Sequence, residues 1–578
     1  MYRIKWMSIA LAFSLVFSGC SGGSKTAEAP EPVNAAGATK AASEVEEAPA
    51  AAYAPEGTQA PGAVVPEREY PETGGKMETG SLLPDAAQKA AYYVDDNGRS
   101  FSVEEEYSGV IPNMEGYIPI TENQWNTALG NPVMTFSLKV DSASYRNAAR
   151  YLNSGILPPR DAVRIEEFIN YFNYDTPLPE TDSPFSIYTE IGPSIFGSGK
   201  RLAFVRVKSK SIDRSNLPKS NLTFLIDTSG SMDSYDKLPL LKTAFQMLVD
   251  TLTDDDVVSI ATYAGSSSIL LDSVPGGQGR RIMDAIQNLE ASGSTAGADG
   301  INTAYELAEK NFLQNGNNRV ILATDGDFNV GVSSLEELKA LISAKRKTGV
   351  YLSVLGFGTG NLKDNVMETL AKNGNGNYGY IDNVSAAKKI LVDELNTSLY
   401  AIAEDVKAQI EFNPALVESY KLIGYENSII PNQDFDNDAK DAGEIGVGTD
   451  VVLMFEVQLK EGSSDEQGVL KYQAATPTEQ EDGDYSDELL EVRIRYKNPG
   501  ESESKLIANP VSINAITDRN STDFNFASAV AGFGSILAGS NDVSIEDVQR
   551  LAIDSMGEDK GGYRKEFADL TNKYKAIR

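Results

Sequence analysis

Between about residues 221 and 400, short apolar runs alternate with amphipathic stretches of helical spacing, and this alternation narrows the fold more than any other feature. The runs are LTFLI at 222–226, VVSIA at 257–261, ILL at 269–271, VILAT at 320–324 and VYLSV at 350–354. The intervening helical stretches lie near 237–252, 281–289, 298–312, 335–345 and 386–395. Continuous apolar runs suit strands covered on both faces, and strands alternating with helices of this length form a parallel sheet. The expected fold class is α/β: a doubly wound, mostly parallel, Rossmann-like sheet. Ligands of such sheets bind beyond the carboxyl ends of the strands.

A chain of 578 residues is too long for one such core, since single cores stop growing at roughly 250–300 residues. The flanks change period. FSLKV at 136–140, AFVRV at 203–207, VKAQI at 406–410, VVLMFEV at 451–457 and LEVRIRY at 490–496 read as strands, and Asn498-Pro499-Gly500 as a turn. These imply a β-sandwich-like region. We expect the strands before 215 and after 400 to share one sheet system into which the α/β unit is inserted. Stretches 142–152, 160–171, 524–536 and 544–556 have helical patterning.

The first 20 residues have the form of an export signal: Arg3 and Lys5, an apolar run over 9–17, then Ser18-Gly19-Cys20. Small residues before the chain's one cysteine resemble the cleavage box of bacterial lipoproteins. That resemblance implies lipidation of Cys20 and a membrane anchor outside the cytoplasm, with Ser21 favouring an outer membrane where two exist. Residues 21–105 are rich in Ala, Pro and Glu, and read as a disordered tether. The remaining boundaries are an N-terminal region over 106–219, the α/β unit over 220–400 and a β-rich and helical extension over 401–578.

Three segments bring oxygen ligands to the crevice expected at the strand ends. Asp227, Ser229 and Ser231 follow the first strand, Gly293-Ser294-Thr295 precedes a helix, and Thr324-Asp325-Gly326-Asp327 ends the strand at 320–324. The chain has no His and a single Cys, which excludes imidazole and thiolate ligands, Ser-His-Asp catalysis and an intrachain disulfide. A metal held here would take oxygen donors only, which points to Mg2+, or to Ca2+ or Mn2+. The net charge of -32 argues against a nucleic-acid partner. Asp233, Asp236 and Asp327, close to these segments, read as solvated loop carboxylates.

The three segments together resemble the metal-ion-dependent adhesion site of von Willebrand factor type A (VWA) domains. By that resemblance Asp227, Ser229, Ser231, Thr295 and Asp325 are the metal ligands, and a partner's Asp or Glu carboxylate completes the coordination. The wider chain, over roughly 130–575, resembles bacterial lipoproteins of the YfbK-like group through VRIEEFINYF at 163–172, ATDGDFNVG at 323–331 and DAGEIGVG at 441–448. Where that group often has His after the last motif, this chain has Thr449, so no role passes to that position. Two look-alikes are set aside. Asp434, Asp436 and Asp438 begin like a calcium loop, but Ala439 and Ile445 replace its glycine and its glutamate, leaving an acidic turn. Gly356, Gly358 and Gly360 imitate a dinucleotide loop on a late strand, and read as a flexible strand exit. The function these features imply is a membrane-anchored, non-enzymatic protein that grips a protein partner through a divalent metal. The alternatives are an envelope scaffold that binds through its β-region, and a metal-assisted hydrolase.

Overall fold

The apolar runs of the middle of the chain form a six-stranded sheet, in the order Tyr378–Ile381, Val350–Phe357, Asn317–Thr324, Ser220–Asp227, Val257–Tyr263, Ser267–Pro275. The structure is a computed structural model that describes residues 90–94, 100–104 and 114–578, except 140, 181–182, 296, 327–334, 395–398, 461–484 and 486. The first five strands of that order run parallel, and Ser267–Pro275 closes the edge antiparallel. Alternation along Ser220–Asp227 sends side chains to both faces. Leu222, Phe224 and Ile226 pack with the helices Leu238–Val249 and Gly279–Gln287, while Leu225 packs with Gly297–Lys310 and Asp364–Asn373 on the other side. Both faces are thus helix-covered along the inner strands, which is why their runs lack a polar side, whereas Ile269 and Leu270 of the edge strand are exposed.

The flanking strands form two five-stranded antiparallel sheets, and each mixes the two flanks. Val133–Ser137 pairs with Ala401–Phe412, and Arg201–Ser209 pairs with Asp450–Leu459. The inward faces share one core that includes Phe136, Val205, Ala408, Ile410, Leu453, Phe455 and Ile494. The α/β unit is therefore inserted into a sandwich, as the pattern implied. The outer face of the second sheet is also covered: Leu202, Phe204, Val452 and Met454 pack under Ala143–Asn153, Thr522–Leu537, Ile545–Asp554 and Tyr563–Ile577. A fully buried Leu or Phe stabilises by roughly 1.5–3 kcal/mol, so this helical layer is a core in its own right.

Several elements differ from the sequence pattern. Within the span read as a tether, Ala90–Val94 and Ser100–Glu104 pair antiparallel. Tyr92, Tyr93, Val94, Phe101 and Val103 carry the strand propensity that the preceding Ala/Pro/Glu stretch lacks. The export signal, Cys20 and the rest of the tether lie outside the described residues. The stretch 160–171 is not one helix but a 3-10 turn, Arg160–Ala162, and a short helix, Ile165–Ile169. Val163 and Arg164 are extended between them, held by a bond from the Arg164 amide to Ser144 Oγ at 2.8 Å. The helix expected near 386–395 is Val384–Lys388 followed by a wider turn, Lys389–Asp393. Helices Asp364–Asn373 and Tyr563–Ile577, and strands Phe185–Pro193, Tyr378–Ile381, Val417–Ile423 and Lys505–Ser512, are not among the elements expected from the sequence.

Two buried arginines tie the inserted unit to the flanks. Arg146 forks onto Asp382, at 2.8 and 2.9 Å, and reaches Glu566 at 2.8 Å. Arg164 forks onto Asp364, at 2.6 and 3.2 Å, and also bonds Glu167. Paired guanidinium–carboxylate bonds of this kind fix orientation as well as charge.

Candidate metal centre

Asp227 is the last residue of its strand and is fully buried. One carboxylate oxygen accepts the Ser229 amide at 2.9 Å. The other accepts the Tyr263 hydroxyl at 2.9 Å and the Thr324 hydroxyl at 3.1 Å. These three donors come from its own loop and from the two neighbouring strands, so its position follows from the sheet register. Ser229 and Ser231 lie with their hydroxyls 2.9 Å apart. Asp325, the first residue past the adjacent strand, is also fully buried. It takes hydrogen bonds from Lys237 Nζ and Asn361 Nδ2, each at 3.0 Å, and from the Ser231 hydroxyl.

Thr295 is half-buried in the segment leading into Gly297–Lys310. Backbone bonds hold that segment against the first loop: the Gly230 amide donates to the Gly293 carbonyl at 3.1 Å, and the Ser292 amide to the Thr228 carbonyl at 2.8 Å. Gly293 takes φ +82° for this, a conformation that suits glycine. The structure thus brings all three predicted segments to one end of the sheet. The donor set is two carboxylates and neutral hydroxyls, oxygen throughout, which suits a hard divalent cation.

Electrostatics separates the two carboxylates. Burial, together with the negative charge of Asp325, pushes Asp227 up to about 6. Burial acts the same way on Asp325, but the Lys237 ammonium and the hydrogen bonds from Ser231, Asn361 and Lys237 outweigh it and hold Asp325 below the usual carboxylate range. Two like charges that disfavour each other in a buried crevice are what a cation between them would relieve. Among the described residues, no group of three or more His, Cys, Asp or Glu gathers as a metal cluster.

Three neighbours were not singled out in the sequence. Lys237 is buried, and a buried lysine leaves no pattern in a linear chain. Tyr263 ends a strand and reads there as core. Asn361 follows the Gly356/Gly358/Gly360 segment, which is pinned rather than flexible. Tyr380 OH donates to the Gly358 carbonyl at 2.7 Å, Gly360 N to Glu115 at 2.8 Å, and Met114 N to the Gly360 carbonyl at 2.8 Å. Asp236 also differs from expectation. It lies at the buried start of a helix, 6% exposed, with one oxygen taken by the Ser234 hydroxyl at 2.5 Å. Asp233 is exposed, and Asp327 lies outside the described residues. The 434–438 turn is neutralised by a side chain: Arg495 reaches Asp436 at 3.2 Å and Asp438 at 3.1 Å.

Three family models match consecutive stretches of the chain: "von Willebrand factor" over residues 111–203, "von Willebrand factor type A domain" over 221–393, and "Uncharacterized protein YfbK, C-terminal" over 397–577. The "Uncharacterized protein YfbK" of Escherichia coli (strain K12) is 41% identical over 471 residues, which are 79% of this chain and 81% of that one. The chain belongs to the YfbK family. The match to YfbK is far longer than the VWA unit alone and so extends into the flanks. The "Uncharacterized protein sll0103" of Synechocystis is 24% identical over 55% of this chain and 70% of its own. Among solved structures, a "von Willebrand factor type A from Catenulispora acidiphila" matches at 16% identity and a TM-score of 0.38, covering 68% of this chain and 91% of that one. Among the described residues, no helix of this YfbK-family chain is long and apolar enough to cross a membrane.

Proposed function

We propose that this protein holds a divalent cation, Mg2+ or in its place Ca2+ or Mn2+, between Asp227, Ser229, Ser231, Thr295 and Asp325. Through that cation it grips an Asp or Glu carboxylate of a protein partner. The VWA unit, a fold that generally mediates protein–protein contacts, supports the binding role. The observation that carries the metal is the pair of fully buried carboxylates, Asp227 and Asp325, at adjacent strand ends beside the Ser229 and Ser231 hydroxyls. A cation bound there supplies a Lewis-acidic point for an anionic oxygen, because only two of its five protein ligands carry charge. The chain's own residues do the positioning. Tyr263, Thr324 and the Ser229 amide fix Asp227, and Asn361 and Lys237 fix Asp325.

A binding role fits better than hydrolysis. The nearest hydroxyls, of Ser229 and Ser231, face each other and Asp325, and the chain has no His to serve as their base. Lipidation at Cys20 would place this binding surface on the outer side of a membrane, at the end of the segment that precedes the folded body.

The test is capture from native membranes with the immobilised protein, wild type and Asp227→Ala, in Mg2+ and in EDTA. Capture by the wild type in Mg2+ alone is expected. Equal capture under all four conditions would overturn the reading and move the binding surface to the flanking sheets.

A further inference from the structure

The centre contains a positive charge that its five-residue motif does not include. Lys237 caps the start of Leu238–Val249 and is 6% exposed. Its ammonium donates to the Ser231 carbonyl at 2.9 Å, to Asp325 Oδ2 at 3.0 Å and to Asn361 Oδ1 at 3.0 Å. All three of its protons are thereby committed to the loops that carry the proposed ligands. The opposite loop makes room for it. Gly358 sits at φ +78°, and a Cβ there would lie 2.3 Å from Lys237 Cε and 2.4 Å from its Cγ. A lysine this enclosed is not a surface charge that happens to lie nearby.

We infer that Lys237 is a resident counter-ion of the centre, which weakens its hold on a divalent cation and couples cation binding to the arrival of an anionic ligand. This rests on the metal reading proposed above. With Asp227 and Asp325 ionised and Lys237 protonated, the centre carries a net charge of -1 before a divalent cation enters and +1 afterwards. Without the ammonium those values would be -2 and 0. The resident charge therefore repels the incoming cation. It also leaves the loaded centre positive, and a positive centre attracts a carboxylate more strongly than a neutral one does. By mutual linkage, whatever the cation adds to carboxylate affinity, the carboxylate adds to cation affinity. Lys237 is thus a specificity-determining residue: it favours the ternary assembly over metal binding alone.

A lysine that merely braces Asp325 makes the opposite prediction, because its loss would loosen a ligand and weaken metal binding. The experiment is Mn2+ binding to the full chain, followed by the paramagnetic resonance signal of the free ion, with and without acetate as the carboxylate probe. It compares wild type, Lys237→Met, Lys237→Gln and Asp227→Ala, with circular dichroism to check folding. The account expects both Lys237 variants to bind Mn2+ at least tenfold more tightly than wild type, and acetate to tighten Mn2+ binding more in wild type than in either variant. Unchanged or weaker Mn2+ binding, or an unchanged acetate effect, would overturn it. Should Lys237→Met fail to fold, Lys237→Gln, which keeps a hydrogen-bond donor without the charge, decides. If wild type binds Mn2+ through Asp227 and the Lys237 variants match it, this inference alone fails. If only the Lys237 variants bind, even with acetate, the native centre is not a metal site and the inference falls with the reading it rests on. If none binds, both readings fall.

Discussion

The inserted unit contains two kinds of buried acidic cluster, and they solve the same problem differently. At the junction with the flanks, Arg146 and Arg164 fork onto Asp382 and Asp364 with paired hydrogen bonds. At the strand ends, Asp227 and Asp325 share a single ammonium, and only Asp325 touches it. In the first arrangement each aspartate is gripped by a paired guanidinium fork, and in the second Asp227 is held by neutral donors alone, beside hydroxyl oxygens. The difference separates carboxylates that hold a fold together from carboxylates available to a ligand.

Breaking the first arrangement should have the largest effect. Arg164→Ala leaves Glu167, Asp364 and Glu368 buried around a missing guanidinium, and removal of one partner of a buried pair costs about 3–5 kcal/mol. Urea unfolding of the full chain measures it, and a loss below about 1 kcal/mol would mean the junction is not built on this arginine.

The second arrangement should respond to metal instead. Saturating Mn2+ at a hundred times its dissociation constant should stabilise the wild type by about 2.7 kcal/mol and leave Asp227→Ala unmoved. Thermal unfolding with and without Mn2+ distinguishes the two, and an equal shift in both proteins would place the ion elsewhere.

A smaller effect concerns pH. One guanidinium cannot neutralise three carboxylates, and burial pushes Glu167 up to about 8 in spite of Arg164. In the unfolded chain the same group titrates near its ordinary value of 4.5. The native state therefore holds a proton that the unfolded state has released. The stability this lends is full below about pH 4.5 and is lost as pH rises towards 8. Glu167→Gln should flatten that part of the stability–pH curve, and an unaltered curve would exclude Glu167 as its source.

The smallest effect is expected at the acidic turn. Arg495→Ala, which removes the cation from exposed Asp436 and from Asp438, itself still held by Ser504, should change stability by less than about 1 kcal/mol, and Ca2+ should not restore the difference.

These contrasts also show where the sequence is legible. The strands 222–226 and 320–324 were readable because both of their faces are buried, and the motif residues because each lies at a strand end or before a helix. The insertion was readable from the change of period on either side of it. Lys237 was not, because its role depends on Gly358 and Asn361, more than a hundred residues away. The helix Asp364–Asn373 was missed because it is short and follows the glycine-rich segment, although Met367, Leu370 and Ala371 mark one buried face. The break at Val163 and Arg164 was missed because tertiary bonds to Ser144 and Asp364 override a helical pattern. Of the outer helices, Thr522–Leu537 and Ile545–Asp554 were readable at 524–536 and 544–556, and Tyr563–Ile577 was not read, although Tyr563, Phe567, Leu570 and Tyr574 are spaced along one buried face.

The most direct test of the metal centre is equilibrium dialysis of the full chain against Mn2+, comparing wild type with Asp227→Ala and with Asp436→Ala as a control on the acidic turn. One ion per chain should be bound by wild type and by Asp436→Ala, and none at the same concentration by Asp227→Ala. Retention of that ion by Asp227→Ala would contradict the assignment of the centre.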